Sequence, residues 1–151
     1  MKKYELTDET IDVSGTTLHR IKALKDFGNV KKGELGGYVE SERNLSQEGN
    51  CWVCGNAKVC GDAEVCGNAK VCGNAKVCGD ADYITIKGLG SKYRNTTIFR
   101  TKENIAVKCG CFYGTLAEFV DKVKETHGNS KFTKEYLALI DLVKIHFELE
   151  E

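Results

Sequence analysis

Gly49-Asn-Cys-Trp-Val-Cys54, Gly55-Asn-Ala-Lys-Val-Cys60, Gly61-Asp-Ala-Glu-Val-Cys66, Gly67-Asn-Ala-Lys-Val-Cys72, Gly73-Asn-Ala-Lys-Val-Cys78 and Gly79-Asp-Ala-Asp-Tyr-Ile84 are six hexapeptides in tandem. Each opens with glycine followed by Asn or Asp, residues that tolerate left-handed or tight-turn backbone. The other four positions alternate, so that Ala57 and Val59 share one face of a short strand while Lys58 and Cys60 share the other. Each unit therefore reads as a turn plus a strand, with a small and a β-branched residue facing inward. A unit of this size buries its apolar face only against its neighbours, so a fixed period predicts a β-helix.

Working outward, the rest of the chain is in keeping with one compact unit. At 151 residues it is long enough for a core but not for several domains. Charge is balanced, 22 basic against 22 acidic residues, which gives no global argument for nucleic acid or an anionic membrane. No apolar run approaches the roughly 20 residues of a membrane span. The start, Met1-Lys-Lys-Tyr-Glu-Leu-Thr-Asp-Glu9, lacks the apolar core of a signal peptide. An intracellular, cytoplasmic protein is expected. Six of the eight cysteines fall within the repeat, and from Cys54 onward they follow its period rather than the paired spacing of a zinc site. Reduced structural thiols are the expectation in a reducing compartment.

Before the repeat, Thr10-Ile-Asp-Val13 and Thr17-Leu-His-Arg-Ile-Lys22 alternate apolar and polar around a Ser14-Gly15 turn. Tyr38-Val39 starts another strand, so residues 1–48 read as strands leading into residues 49–84. After Ile84 the glycine period stops. Tyr83–Lys87, Asn95–Arg100 and Ile105–Cys109 read as strands. Thr115-Leu-Ala-Glu118 is a capping box that starts a helix with Leu116, Phe119, Val120 and Val123 on one face, ended by His127-Gly128. A second helix is expected from about Thr133 to Glu148. Its apolar residues cover much of the circumference, so it should be buried on more than one side, as an oligomer contact or a clasp. Residues 85–151 thus form a C-terminal cap of strands and two helices.

The repeat and its flanks resemble a known group. The flanks that carry the likeness are Leu18-His-Arg-Ile-Lys-Ala-Leu-Lys-Asp-Phe27, Gly36-Gly-Tyr-Val-Glu40, Asn44-Leu-Ser46, Lys108-Cys-Gly-Cys-Phe112, Gly114-Thr-Leu-Ala-Glu-Phe119 and Thr126-His-Gly-Asn129. Together they are similar to phage and prophage hexapeptide-repeat proteins labelled as transferases. The resemblance implies a mainly β fold built on a short left-handed parallel β-helix, three hexapeptides to a triangular coil. Two coils would then stack Cys54 on Cys72 and Cys60 on Cys78. Neighbouring strands lie about 4.8 Å apart, which leaves a disulfide across the coils open. The resemblance also implies a homo-oligomer, with a trimer favoured.

The chemistry-bearing window is 87–108. It holds Lys87, Lys92, Arg94, Arg100, Lys102 and Lys108 against one acid, Glu103. Gly88, Gly90 and Ser91 offer backbone amides and a hydroxyl to a phosphate, and Tyr93 offers a ring for a base to stack on. Basic groups, amides and an aromatic suit an anionic or nucleotide-type ligand. The bland reading is a solvated strand edge whose lysines prevent pairing. Cys109-Gly-Cys111 has one intervening residue and no second pair, and is expected as core packing beneath the first helix. His127 reads as a helix cap favoured by the macrodipole, with a catalytic role as the alternative.

Three functions are weighed on these residues. A hexapeptide acyltransferase generally uses a histidine near its solenoid, and this repeat has none. A structural or interaction module would explain the second helix and the cysteine ranks. The leading expectation is a non-enzymatic, oligomeric sponge that holds a small anionic, nucleotide-like immune signal. Its ligand residues would be Gly88, Gly90, Ser91, Tyr93, Arg94, Arg100 and Lys108, with no catalytic residue, metal or cofactor, and no membrane, DNA or RNA partner.

Overall fold

A computed structural model describes residues 1–149. The first half contains β1 (Tyr4–Val13), β2 (Thr16–Ala23), β3 (Leu35–Val39), β4 (Trp52–Val53), β5 (Lys58–Val59), β6 (Lys70–Val71) and β7 (Lys76–Val77). β1 and β2 form an antiparallel hairpin through Ser14 and Gly15, both in the left-handed region at φ 52° and 86°. β3 continues the sheet antiparallel to β2, then pairs parallel with β5, and β5 with β7, in the order β1-β2-β3-β5-β7. β4 and β6 make a separate two-stranded parallel sheet, and a lone parallel bridge joins Leu45 to Val65.

This corrects the expected left-handed parallel β-helix. Residues eighteen apart do pair, Lys58 with Lys76 and Trp52 with Lys70, but each such pair of strands is only two residues long. They are shared between a mixed sheet and a separate two-stranded one, so no regular solenoid forms. The glycines explain why. Gly49, Gly55, Gly61, Gly67 and Gly73 all turn at φ between 63° and 70°, which leaves two residues per unit for a ladder. The longer strands, and so most of the pairing, belong to antiparallel flanks on either side. The mainly β character stands.

Inward positions behave as the alternation dictates. Ala57, Val59, Ala63, Val65, Ala69, Val71 and Val77 are completely buried in one core with Tyr4, Ile21 and Trp52. Each such valine contributes about 1.5–3 kcal/mol relative to exposure. The outward cysteines differ from expectation, because Cys54 and Cys72 are joined by a disulfide. Cys60 and Cys78 remain thiols with their sulfurs 3.1 Å apart. The sixth unit leaves the pattern: Gly79 is extended and Asp80–Asp82 form a single 3-10 turn.

That turn feeds β8 (Tyr83–Leu89), which pairs antiparallel with β9 (Arg94–Arg100), followed by β10 (Ile105–Cys109) and β11 (Phe112–Thr115). The four strands make one antiparallel sheet in the order β11-β10-β9-β8. Period-two alternation gives it two buried faces. Phe99 and Ala106 join the repeat core, whereas Ile98, Ile105 and Val107 face a second core under α1 (Leu116–His127) and α2 (Lys131–His146).

At the start of α1, Thr115 Oγ1 accepts from the Glu118 N–H at 3.2 Å and Glu118 Oε1 accepts from the Thr115 N–H at 2.8 Å. α2 begins two residues earlier than the sequence suggests. Ser130 is its N-cap, and the Thr133 hydroxyl instead donates to the Gly128 carbonyl at 2.7 Å. One face of α2, with Tyr136, Leu139, Ile140 and Val143, is buried on the sheet, while Leu142 and Ile145 are 53% and 75% exposed. Among the described residues no helix is long and apolar enough to cross a membrane.

Candidate functional site

The site is built around Arg94, the first residue of β9. β8 and β9 are linked through Gly90-Ser-Lys-Tyr93, with Gly90 and Tyr93 in the left-handed region, and β10 and β11 are linked through Gly110 at φ 58°. The Arg94 side chain crosses Gly110 so closely that a Cβ there would collide with its guanidinium. Glycine at 110 thus meets two demands, left-handed backbone and close approach.

On one side of Arg94 a cavity of about 610 Å³ opens between these two turns and α1. Phe112, Phe119, Tyr136 and His127 supply aromatic wall, and Lys92, Arg94 and Lys122 supply cations; among the described residues no carboxylate lines it. Lys122 lies 3.9 Å from Glu125, an exposed pair. Three lining residues are held by neighbours: Cys109 Sγ accepts from the hydroxyl of buried Thr96 at 3.3 Å, and the Tyr136 ring stands edge-on to Phe119 with centroids 5.3 Å apart. Burial, with Cys109 beside it, pushes the Tyr136 phenol up to about 12, so it stays protonated at neutral pH. His127 stacks near Tyr136 and Phe132, with centroids 6.2 and 5.5 Å away.

On the other side of Arg94 lies a second cavity of about 560 Å³, between the antiparallel sheet and the repeat. Its lining includes Trp52, Lys70, Lys108, Glu34 and the Cys54–Cys72 disulfide, and it shares Arg94 and Cys111 with the first.

The residues read from the sequence are placed unevenly. Ser91 and Arg94 line the first cavity, and Arg94 and Lys108 the second. Lys108 Nζ donates to the Gly110 carbonyl. Arg100 sits at the opposite end of β9, six residues and about 20 Å from Arg94 at strand rise. It pairs with Asp82 at 2.9 Å and lies over the Phe147 ring. Gly88 makes the irregularity in the β8–β9 register, with φ 108°. The Gly90 N–H donates to Glu135 Oε1 at 3.0 Å, so that amide is taken by α2. Tyr93 is 66% exposed and lines neither cavity.

Cys109-Gly-Cys111 also departs from expectation. The turn at Gly110 separates the two cysteines, leaving Cys109 half-buried and Cys111 exposed. Lys122, Phe112, Phe119 and Tyr136 escape a sequence reading because they look there like helix surface and core alone. Lys70 escapes it because it looks like every other repeat lysine. Among the described residues no group of three or more His, Cys, Asp or Glu could hold a metal ion.

No protein-family profile matches the chain. Over 61 residues it is 39% identical to an Escherichia coli protein named uncharacterized acetyltransferase YdcK. The match covers 35% of this chain and spans 19% of that protein's length.

Proposed function

We propose that this protein binds a small anionic ligand of nucleotide type in the first cavity and holds it without altering it. The observation that carries this reading is a cavity with, among the described residues, three cations, aromatic walls and no lining carboxylate. Arg94 offers a planar fork for two oxygens of one phosphate, Lys92 and Lys122 add charge at the rim, and Phe112 and Phe119 offer apolar surface to a flat ring. In the phage setting suggested by the flanking motifs, the ligand would be a nucleotide immune signal, sequestered by a homo-oligomer, with a trimer the favoured assembly.

Native mass spectrometry of protein purified from cells making nucleotide second messengers tests the reading. An oligomer carrying an adduct of nucleotide mass, released unchanged on denaturation, is the expected result. Arg94→Ala should weaken retention about 10- to 100-fold, the worth of a charge-assisted hydrogen bond. A clean protein without adduct would overturn it.

A second reading, acetyl transfer, is favoured by the likeness to the protein named acetyltransferase. The same cavity would take the anionic part of an acyl thioester, with His127 accepting the proton of the acceptor's hydroxyl or amine as it attacks the thioester carbonyl, and returning it to the thiolate that leaves as the C–S bond breaks. Consumption of acetyl-coenzyme A, abolished by His127→Ala, distinguishes it from holding.

A further inference from the structure

We propose that the second cavity is a binding site for a compact oxyanion, a phosphate or carboxylate group, held by Lys70, Lys108 and Arg94 with the Trp52 indole N–H as a neutral donor. Trp52 and Lys70 are the fourth residues of their hexapeptides and direct partners in the parallel β4–β6 pair. Their side chains therefore leave the same face of that sheet as neighbouring rungs, and both line the cavity.

Trp52 is 2% exposed, packed edge-on against Tyr4 and Phe27. Its indole N–H is buried without a hydrogen-bond partner among the described residues. A buried donor left unmade costs about 1–3 kcal/mol, which an acceptor would recover where it reaches the indole edge from the cavity.

The charges point the same way. Lys58, Lys70 and Lys76 occupy the same place in identical hexapeptides. Of the three, Lys70 is the one whose backbone N–H is taken by a side chain of the antiparallel sheet, donating to Thr97 Oγ1 at 3.1 Å. Lys70 is half-buried and lies near Lys108; burial first, then this like charge, push its ammonium down from the ordinary value. Among the described residues three cations gather against one lining acid, Glu34, whose Oε1 also accepts from the Lys31 N–H at 3.4 Å. Like charges assembled in one cavity destabilise the empty fold and are relieved by an anion. The assignment goes beyond the first-cavity reading and does not depend on it, although Arg94 belongs to both.

The chain has a single tryptophan, so the indole N–H gives one resonance, from a residue that lines this cavity. Inorganic phosphate, titrated into the ¹⁵N-labelled protein at constant ionic strength, should shift that resonance saturably. Lys70→Met and Lys108→Met should each weaken the response at least tenfold. No saturable shift, or the same shift in both variants, would overturn the proposal. A nucleoside monophosphate that competes with phosphate and binds more tightly would assign the oxyanion to a ligand spanning both cavities. Equal affinity would assign it to free phosphate. Loss of nucleotide retention with this shift intact would retire the first-cavity reading and leave this one standing.

Discussion

Asn44 shows how one side chain can tie an irregular segment to the repeat. It is completely buried, with Oδ1 accepting from the Ser41 N–H at 3.0 Å and Nδ2 donating to the Gly61 and Ala63 carbonyls at 3.2 and 2.8 Å. The next residue, Leu45, makes the isolated parallel bridge to Val65, so the amide braces a repeat contact that lies outside the sheets. Asn44→Ala removes these bonds and strands two carbonyls, at a cost of about 2–4 kcal/mol, to be read from the denaturant midpoint. Asn44→Asp should cost more, because a carboxylate cannot donate to those carbonyls and its charge would be buried. A change below about 1 kcal/mol for the alanine variant would mean that water replaces the amide without loss.

At the scale of elements, the capping box of α1 is a local device, legible in the sequence alone. Both of its reciprocal hydrogen bonds are present, because they need only four consecutive residues and a helix behind them. Thr115→Ala should destabilise the protein by about 1 kcal/mol, with the loss visible as faster amide exchange in the first turn of α1. Since α1 walls the first cavity through Phe119 and Lys122, ligand retention should weaken modestly as the helix start frays. An unchanged exchange pattern would show that packing on the sheet, not the cap, sets the start of the helix. The strands divide differently. β9 and β10 are readable from alternation, but the two faces of their sheet serve two cores, and no local pattern names the partner of a face.

For the whole molecule, the titrating groups predict an alkaline limit to stability. Cys60 is raised from its ordinary 9.0 to about 12 by burial and the adjoining Cys78, and Tyr136 from 10.0 to about 12. Burial also raises Tyr4, Tyr83 and Cys51. The unfolded chain releases these protons from about pH 9 to 10, whereas the folded chain keeps them longer, so folding stability falls as pH climbs through that window toward 12. Lys3 and Lys70 act in the opposite sense, since burial lowers both below 10.5. They are fewer, and the net slope is downward. Thermal melts from pH 7 to 11 should show a constant midpoint that drops above about pH 9; a flat profile to pH 11 would contradict the sign.

What the sequence by itself determined is local: the glycine turns every six residues, the inward Ala and Val positions, the three strands from Tyr83 to Cys109 and the start of α1. Backbone sterics and side-chain alternation act over a few residues, and those residues are contiguous. What only the tertiary structure decided is which of these pieces meet. Identical hexapeptides leave Lys76 in solvent and set Lys70 into a cavity, where its backbone N–H donates to Thr97 Oγ1 of β9. Arg94 and Arg100 carry the same charge on one strand, but strand length holds them apart, and of the two Arg94 reaches the cavities. The division of the repeat between two sheets has the same origin, since two-residue ladders are too short to impose a solenoid on flanks that pair more extensively antiparallel.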